Sequence, residues 1–137
     1  MAHILARCAW RPGELLARYG GEEFCILLPD STLEDAKVVA QRCLDRVEQA
    51  RIPHPASPSS QWLSVSIGVA SLVPALGSLP DVLLERADTA LYRAKREGRA
   101  RFVCAEADGA NDDITAKMSA EIGAETSTEI GAEPPVY

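Results

Sequence analysis

Residues 63–70, LSVSIGVA, alternate without exception: Leu63, Val65, Ile67 and Val69 fall on one side of an extended chain, and Ser64, Ser66, Gly68 and Ala70 on the other. That period of two predicts a strand whose second face is small-sided, so that a helix or a ligand can approach it closely. Segments of helical period flank it. In STLEDAKVVAQRCLDRVEQA, residues 31–50, the positions Ala36, Val39, Ala40, Cys43, Leu44 and Val47 form one apolar stripe, and Thr32 with Asp35 has the form of a capping box. A second helix is predicted over 81–97, beginning near Ser78 and Pro80, with Leu83, Leu84, Ala87, Ala90, Leu91 and Ala94 in line and Gly98 as its stop. Upstream, Leu15 to Tyr19 and Phe24 to Leu28 are short strand-like runs joined by GGEE, and Pro29 ends the second of them. RIPHPASPSSQ, 51–61, reads as an exposed connection, and RFVC, 101–104, as a last short strand. The order strand, strand, helix, strand, helix, strand predicts a layered α/β or α+β sheet with helices packed on it.

Charge divides the chain at the end of that pattern. Residues 1–104 carry 12 acidic and 13 basic side chains, so the formal net charge of −6 comes from 105–137, where eight Asp or Glu stand against the single Lys117. This tail has few large aliphatics and no aromatic residue before Tyr137, and is expected to be disordered, because it cannot bury enough apolar area to offset its ordering entropy. It also repeats: EIGAE occurs at 121–125 and again at 129–133, a low-complexity period of eight. With 137 residues in total, one domain is expected. Cys8, Cys25, Cys43 and Cys104 form no CxxC pair and have only His3 and His54 as nitrogen partners, which argues against zinc. Cys25, Cys43 and Cys104 lie in apolar stretches, as small buried thiols of a reducing compartment do. With no secretory signal and no apolar run of about 18 residues, a cytoplasmic location without a membrane segment is expected.

Two features bear on chemistry. Taken alone, GGEE is what a solvated hairpin turn uses. Yet Gly20 and Gly21 remove side chains where backbone N–H groups can approach a phosphate, and Glu22 and Glu23 offer hard oxygen ligands for Mg²⁺. Carboxylate, magnesium and polyphosphate together make a phosphoryl-transfer constellation. A phosphate site also needs cations, and YRAKREGRAR, 92–101, supplies Arg93, Lys95, Arg96, Arg99 and Arg101, with Lys95 and Arg99 four apart. Basic residues at a helix C-terminus equally serve the helix dipole.

Read jointly, RYGGEEF, VSIGVA and ADTALYRAKREGR, in this order and spacing, closely resemble the GGDEF domain of diguanylate cyclases over about residues 4–104. The resemblance implies an α+β nucleotidyl-cyclase or palm-like fold with an antiparallel-containing sheet. It implies Mg²⁺-dependent (or Mn²⁺-dependent) condensation of two GTP to cyclic di-GMP and pyrophosphate, with two domains facing each other as a homodimer and no nucleic acid as partner. By that resemblance Gly20 and Gly21 line the nucleotide, Glu22 binds the metal and helps to activate the 3′-hydroxyl, and Glu23 shapes the turn and contacts the nucleotide. Phe24 is a core residue, and Lys95 and Arg99 match the phosphate-binding pair in AKxxGR. The family's inhibitory product site, RxxD, falls on RPGE. Arg11 matches and Glu14 replaces the aspartate, so guanidinium recognition is retained while the geometry of the shorter acid is not. Arg42, on the first long helix, is where a supporting arginine is expected.

The beginning of the chain departs from the family pattern. A full domain opens with a strand and helix that carry a second metal-binding aspartate, a phosphate-cradling loop and guanine-reading Asn and Asp side chains, and MAHILARCAWRPGELL contains none of these. The sequence is therefore expected to start inside the helix before the hairpin, as a partial domain over 1–104 that lacks its first strand and helix. That strand lies, in the family, between the Phe24–Leu28 and Leu63–Ala70 strands, so two unpaired edges are expected, with marginal stability or self-association. The alternative function is a degenerate module that holds GTP, cyclic di-GMP or a protein partner without catalysis. An unrelated two-carboxylate hydrolase is disfavoured, because adjacent Glu22 and Glu23 are poorly placed around a cleft.

Overall fold

The computed structural model describes residues 1–55, 60–77 and 79–106, and the backbone of 117–124. The elements run α1 (Ala2–Ala6), β1 (Leu15–Gly20), β2 (Glu23–Leu28), α2 (Leu33–Gln49), β3 (Val65–Leu72), α3 (Asp81–Arg96), β4 (Phe102–Cys104) and β5 (Lys117–Ala124). The sheet has the order β1-β2-β5-β3-β4, antiparallel throughout except that β3 and β4 are parallel. This is the mixed α+β arrangement that the sequence pattern and the family resemblance imply.

One face of the sheet is built on side-chain size. Phe24, Ile26 and Leu28 of β2 and Val65, Ile67 and Val69 of β3 are buried against Ala36, Val39, Ala40, Cys43 and Val47, the predicted stripe of α2. Leu5 and Cys8, in and just after α1, complete this core. Each large aliphatic side chain taken fully from water here contributes about 1.5–3 kcal/mol. The capping box of α2 forms as read from the sequence: the Asp35 amide donates to Thr32 Oγ1 at 3.1 Å and the Thr32 amide donates to Asp35 Oδ2 at 3.0 Å.

The opposite face is built on closeness. A side chain at Gly68 would overlap the carbonyl oxygen of Ala87 and the amide nitrogen of Leu91, so α3 rests almost directly on the backbone of β3. The buried stripe of α3 is accordingly small, Ala87, Ala90 and Ala94 with Leu91. The alternation of LSVSIGVA thus assigns its large side chains to α2 and its small ones to α3.

The connection 51–61 is more ordered at its ends than its composition suggests. The His54 amide donates to Gln61 O at 2.9 Å, the Leu63 amide to Ile52 O at 2.8 Å, and Pro53 bridges to Trp62; residues 56–59 lie outside the described residues.

Two expectations need correction. The gap between β2 and β3 is not open: β5 fills it, pairing from Leu28↔Met118 to Glu23↔Gly123 on one side and from Leu72↔Lys117 to Val65↔Ala124 on the other. For the same reason the tail is not disordered over residues 117–124, although the rest of it, 107–116 and 125–137, falls outside the described residues. Apolar content argued against order in this segment, but two flanking rows of backbone N–H and C=O groups require partners, and an extended segment satisfies both rows whatever its side chains.

Candidate functional site

The β1–β2 hairpin turns at Gly20–Glu22, where the register is interrupted by an irregularity between Arg18 and Gly20. Gly21 has φ +43°, the left-handed region in which a side chain is strained. Neither Gly20 nor Gly21 would bring a Cβ within 4 Å of another atom, so the space above them is open. Arg18, Gly20, Gly21, Glu22 and Glu23 line a groove of about 680 Å³ there. Both glutamates are half-buried along its wall.

Arg18, which the sequence motifs do not single out, also lines this groove. Its Nε donates to the carbonyl oxygen of Gly21 at 2.8 Å, and its Nη2 donates to the same oxygen. One guanidinium thus holds the turn carbonyl through two nitrogens. The only sequence signal for this role is an arginine three residues before the second glycine.

The topology relates the turn to the basic end of α3. Glu23 pairs with Gly123, and Gly123 with Ser66, while the neighbouring Ile67 amide donates to Arg101 O at 2.9 Å. The GGEE turn and the segment that follows α3 therefore lie at the same end of the sheet, with β5 and β3 between β2 and β4. Lys95, in the last turn of α3, is half-buried, and Arg99 is exposed in the loop beyond it with φ +61°. Gly20, Gly21, Glu22, Glu23, Lys95 and Arg99 thus share one end of the molecule.

Arg11, Glu14 and Arg42 form a separate group. Glu14 Oε2 accepts the backbone amides of Trp10 at 2.7 Å and Arg11 at 2.9 Å, so its carboxylate is spent on closing the loop between α1 and β1. Arg11 Nη1 lies 3.9 Å from Asp35 Oδ1, and Arg42 Nη1 donates to Cys8 O at 3.2 Å. Asp35 and Arg42 are two helical turns apart, which brings Arg11 and Arg42 to one side of α2.

Cys8 and Cys43 meet beneath this group, both fully buried and hydrogen-bonded to each other. Hydrogen bonding from Cys43 draws the Cys8 thiol down to about 7, helped by Arg46 and Arg42, while the same contact and burial push Cys43 up. Cys25 and Cys104 are only partly buried, unlike the small buried thiols expected at those positions.

Among the described residues no group of three or more His, Cys, Asp or Glu side chains is placed to hold a metal. Glu22, on the wall of this groove, offers a carboxylate oxygen of the hard type that a divalent cation takes. No helix among the described residues is long and apolar enough to cross a membrane.

Comparison with known proteins agrees with this geometry. Residues 1–101 match the family described as "Diguanylate cyclase, GGDEF domain". A probable diguanylate cyclase of Escherichia coli, DgcT, is 43% identical over 94 residues, 68% of this chain and 20% of that protein. The Escherichia coli diguanylate cyclase DgcM is 41% identical over 105 residues, 77% of this chain and 24% of that protein. Response regulator PleD of Caulobacter vibrioides is 38% identical over 87 residues, 63% of this chain and 19% of that protein. The chain thus spans about a fifth to a quarter of the length of these relatives. A family match over most of the chain, three motifs in register and an open glycine turn flanked by carboxylates have one common reading: the chain belongs to the GGDEF domain family of diguanylate cyclases.

Proposed function

We propose that the chain binds GTP at the GGEE groove and takes part in the condensation of two GTP to cyclic di-GMP. The observation that carries this reading is the open groove over Gly20 and Gly21, walled by Glu22 and Glu23, at the same end of the sheet as Lys95 and Arg99. With no side chain at Gly20 or Gly21 and open space beside both, a phosphate can approach the backbone of the turn. Glu22 holds Mg²⁺, which when bound neutralises phosphate charge and lowers the pKa of the attacking hydroxyl. Glu22 also helps to activate the 3′-hydroxyl that attacks the α-phosphate of a second GTP, and Glu23 shapes the turn and contacts the nucleotide. Lys95 and Arg99 stabilise the negative charge that collects on the departing pyrophosphate. Each attack forms one phosphodiester and releases one pyrophosphate, so two turns in a facing pair of chains close the ring.

Incubation of the chain with GTP and Mg²⁺ at high protein concentration, with chromatographic detection of product, tests this. Cyclic di-GMP should form in the wild type and fall at least about a hundredfold in Glu22→Gln, the loss typical of removing one group that stabilises transition-state charge. No product from the wild type at any protein concentration sinks the catalytic reading.

A second reading, a module that holds nucleotide or a partner without turnover, draws on the distribution of contacts around Arg11. Glu14 is committed to the loop backbone, so product recognition there falls to Arg11 and Arg42 alone. Calorimetric titration with cyclic di-GMP separates the two: binding that Arg11→Ala abolishes, in a chain that makes no product, favours the module.

A further inference from the structure

Cys8 and Cys43 are the two fully buried thiols among the described residues, and the chemistry proposed for the GGEE groove makes no use of them. Their contact has a direction. The Cys8 thiol donates to the carbonyl oxygen of Ile4 at 3.5 Å, while its sulfur accepts the Cys43 S–H. Arg42 holds the backbone at the same point, its Nη1 donating to Cys8 O at 3.2 Å, and Arg46 adds a second positive charge nearby.

The elements that carry the pair decide how a reagent reaches it. Cys43 lies in the middle of α2, a helix of 17 residues whose apolar stripe belongs to the core. Cys8 lies just beyond α1, which has five residues and no side-chain cap at its start. A helix that short does not sustain itself, so α1 stays on α2 through Leu5, Cys8 and the Arg42 bond. Lifting α1 from α2 is therefore the least costly opening that exposes both sulfurs, and its return sets them against each other again.

We propose that Cys8 and Cys43 form an oxidation site, which a small-molecule disulfide converts into an intramolecular bridge between the end of α1 and α2. Cys8 reacts first, because Arg42, Arg46 and the Cys43 S–H favour its thiolate, whereas the same contact and burial keep Cys43 a thiol. The Cys8 thiolate attacks one sulfur of the small disulfide, forming a mixed disulfide and expelling one thiolate. Cys43 then attacks the Cys8 sulfur, loses its proton and expels the other half of the small molecule. Two electrons leave the protein thiols, the small disulfide is reduced to two thiols, and both protein thiol protons end on them. Cys25 and Cys104 cannot pair with each other in the same way, since they stand on β2 and β4 with β5 and β3 between them.

Incubation of the full chain with oxidised glutathione under native conditions and at low protein concentration tests this, with alkylation of the remaining thiols and unreduced peptide mapping by mass spectrometry. The 8–43 linkage should exceed every other intramolecular pairing at least about tenfold, a preference set by proximity. A mixture of pairings, or glutathione on Cys25 and Cys104 with no 8–43 linkage, overturns the proposal. The bridged chain should melt at least about 5 °C above the reduced one, because the bond constrains the segment from residue 8 to residue 43 in the unfolded chain. No rise, or a fall, would mean that the bridge forms only with α1 displaced, and overturns it too. Cys43→Ser should trap glutathione on Cys8, and Cys8→Ser should leave Cys43 unmodified over the same period; the reverse pattern overturns the assignment of Cys8 as the attacking thiol. Should either variant fail to fold, the peptide map of the wild type still decides.

Discussion

The two faces of the sheet are stabilised in different ways. On the α2 side, branched and aromatic side chains of β2 and β3 interlock with Val39, Cys43 and Val47, and stability comes from apolar area. On the α3 side, Gly68 and a row of alanines let a helix lie against strand backbone, and stability comes from dispersion contacts at close range. Area tolerates the loss of a methyl group and responds in proportion. Closeness tolerates deletion but not addition, since the atoms in the way are backbone and cannot rotate aside.

That difference sets the order of the mutational effects. Gly68→Val should be the most damaging single change in the scaffold, above about 3 kcal/mol, because α3 must move off the sheet to admit a branched side chain. Loss of a cooperative thermal transition would be the expected observation, and a melting temperature near the wild type's would refute the closeness of α3 to β3. Ile67→Ala, the neighbouring residue on the other face, should cost about 2–5 kcal/mol by urea denaturation, with the transition still cooperative. If Ile67→Ala proved worse than Gly68→Val, the contrast between the faces would be reversed.

Smaller effects test the connection of α2 to its face. Thr32→Ala removes the cap side chain and should cost about 1 kcal/mol. Its signature is in pH. Hydrogen bonds from the Thr32 hydroxyl and amide hold the Asp35 carboxyl below its ordinary value of 3.8, so the stabilisation is complete above that value and is lost as pH falls through the lower folded value. Acid titration of stability should therefore be shallower in Thr32→Ala than in the wild type below about pH 4. An identical slope would place the acid sensitivity elsewhere. Smallest of all, Glu22→Gln should change stability by less than about 0.5 kcal/mol, because the turn lies beyond both packed faces. Equal losses of stability and of product formation in that variant would show that Glu22 serves the scaffold and not the chemistry.

Much of the fold was legible locally. Thr32 and Asp35 announce the start of α2, the alternation at 63–70 defines β3 with both of its faces, and the alanine stripe of α3 pairs with the glycine that admits it. The turn at Gly20–Gly21 and its glutamates were likewise visible, because glycine conformation and carboxylate chemistry are properties of single residues. Arg18 and Glu14 were misread or missed for a shared reason. A long polar side chain reaches several backbone groups within a few residues of itself, and which one it binds depends on the loop's final path.

The sequence by itself determined the two helices, the hairpin and the family, since each rests on periodicities and motifs whose physics is complete within one segment. Only the tertiary structure decided that Lys117–Ala124 becomes the middle strand. Nothing in KMSAEIGA demands a strand in isolation. The demand comes from β2 and β3, whose rows of backbone donors and acceptors are satisfied by one extended segment antiparallel to both, and those two rows face each other only in the folded sheet.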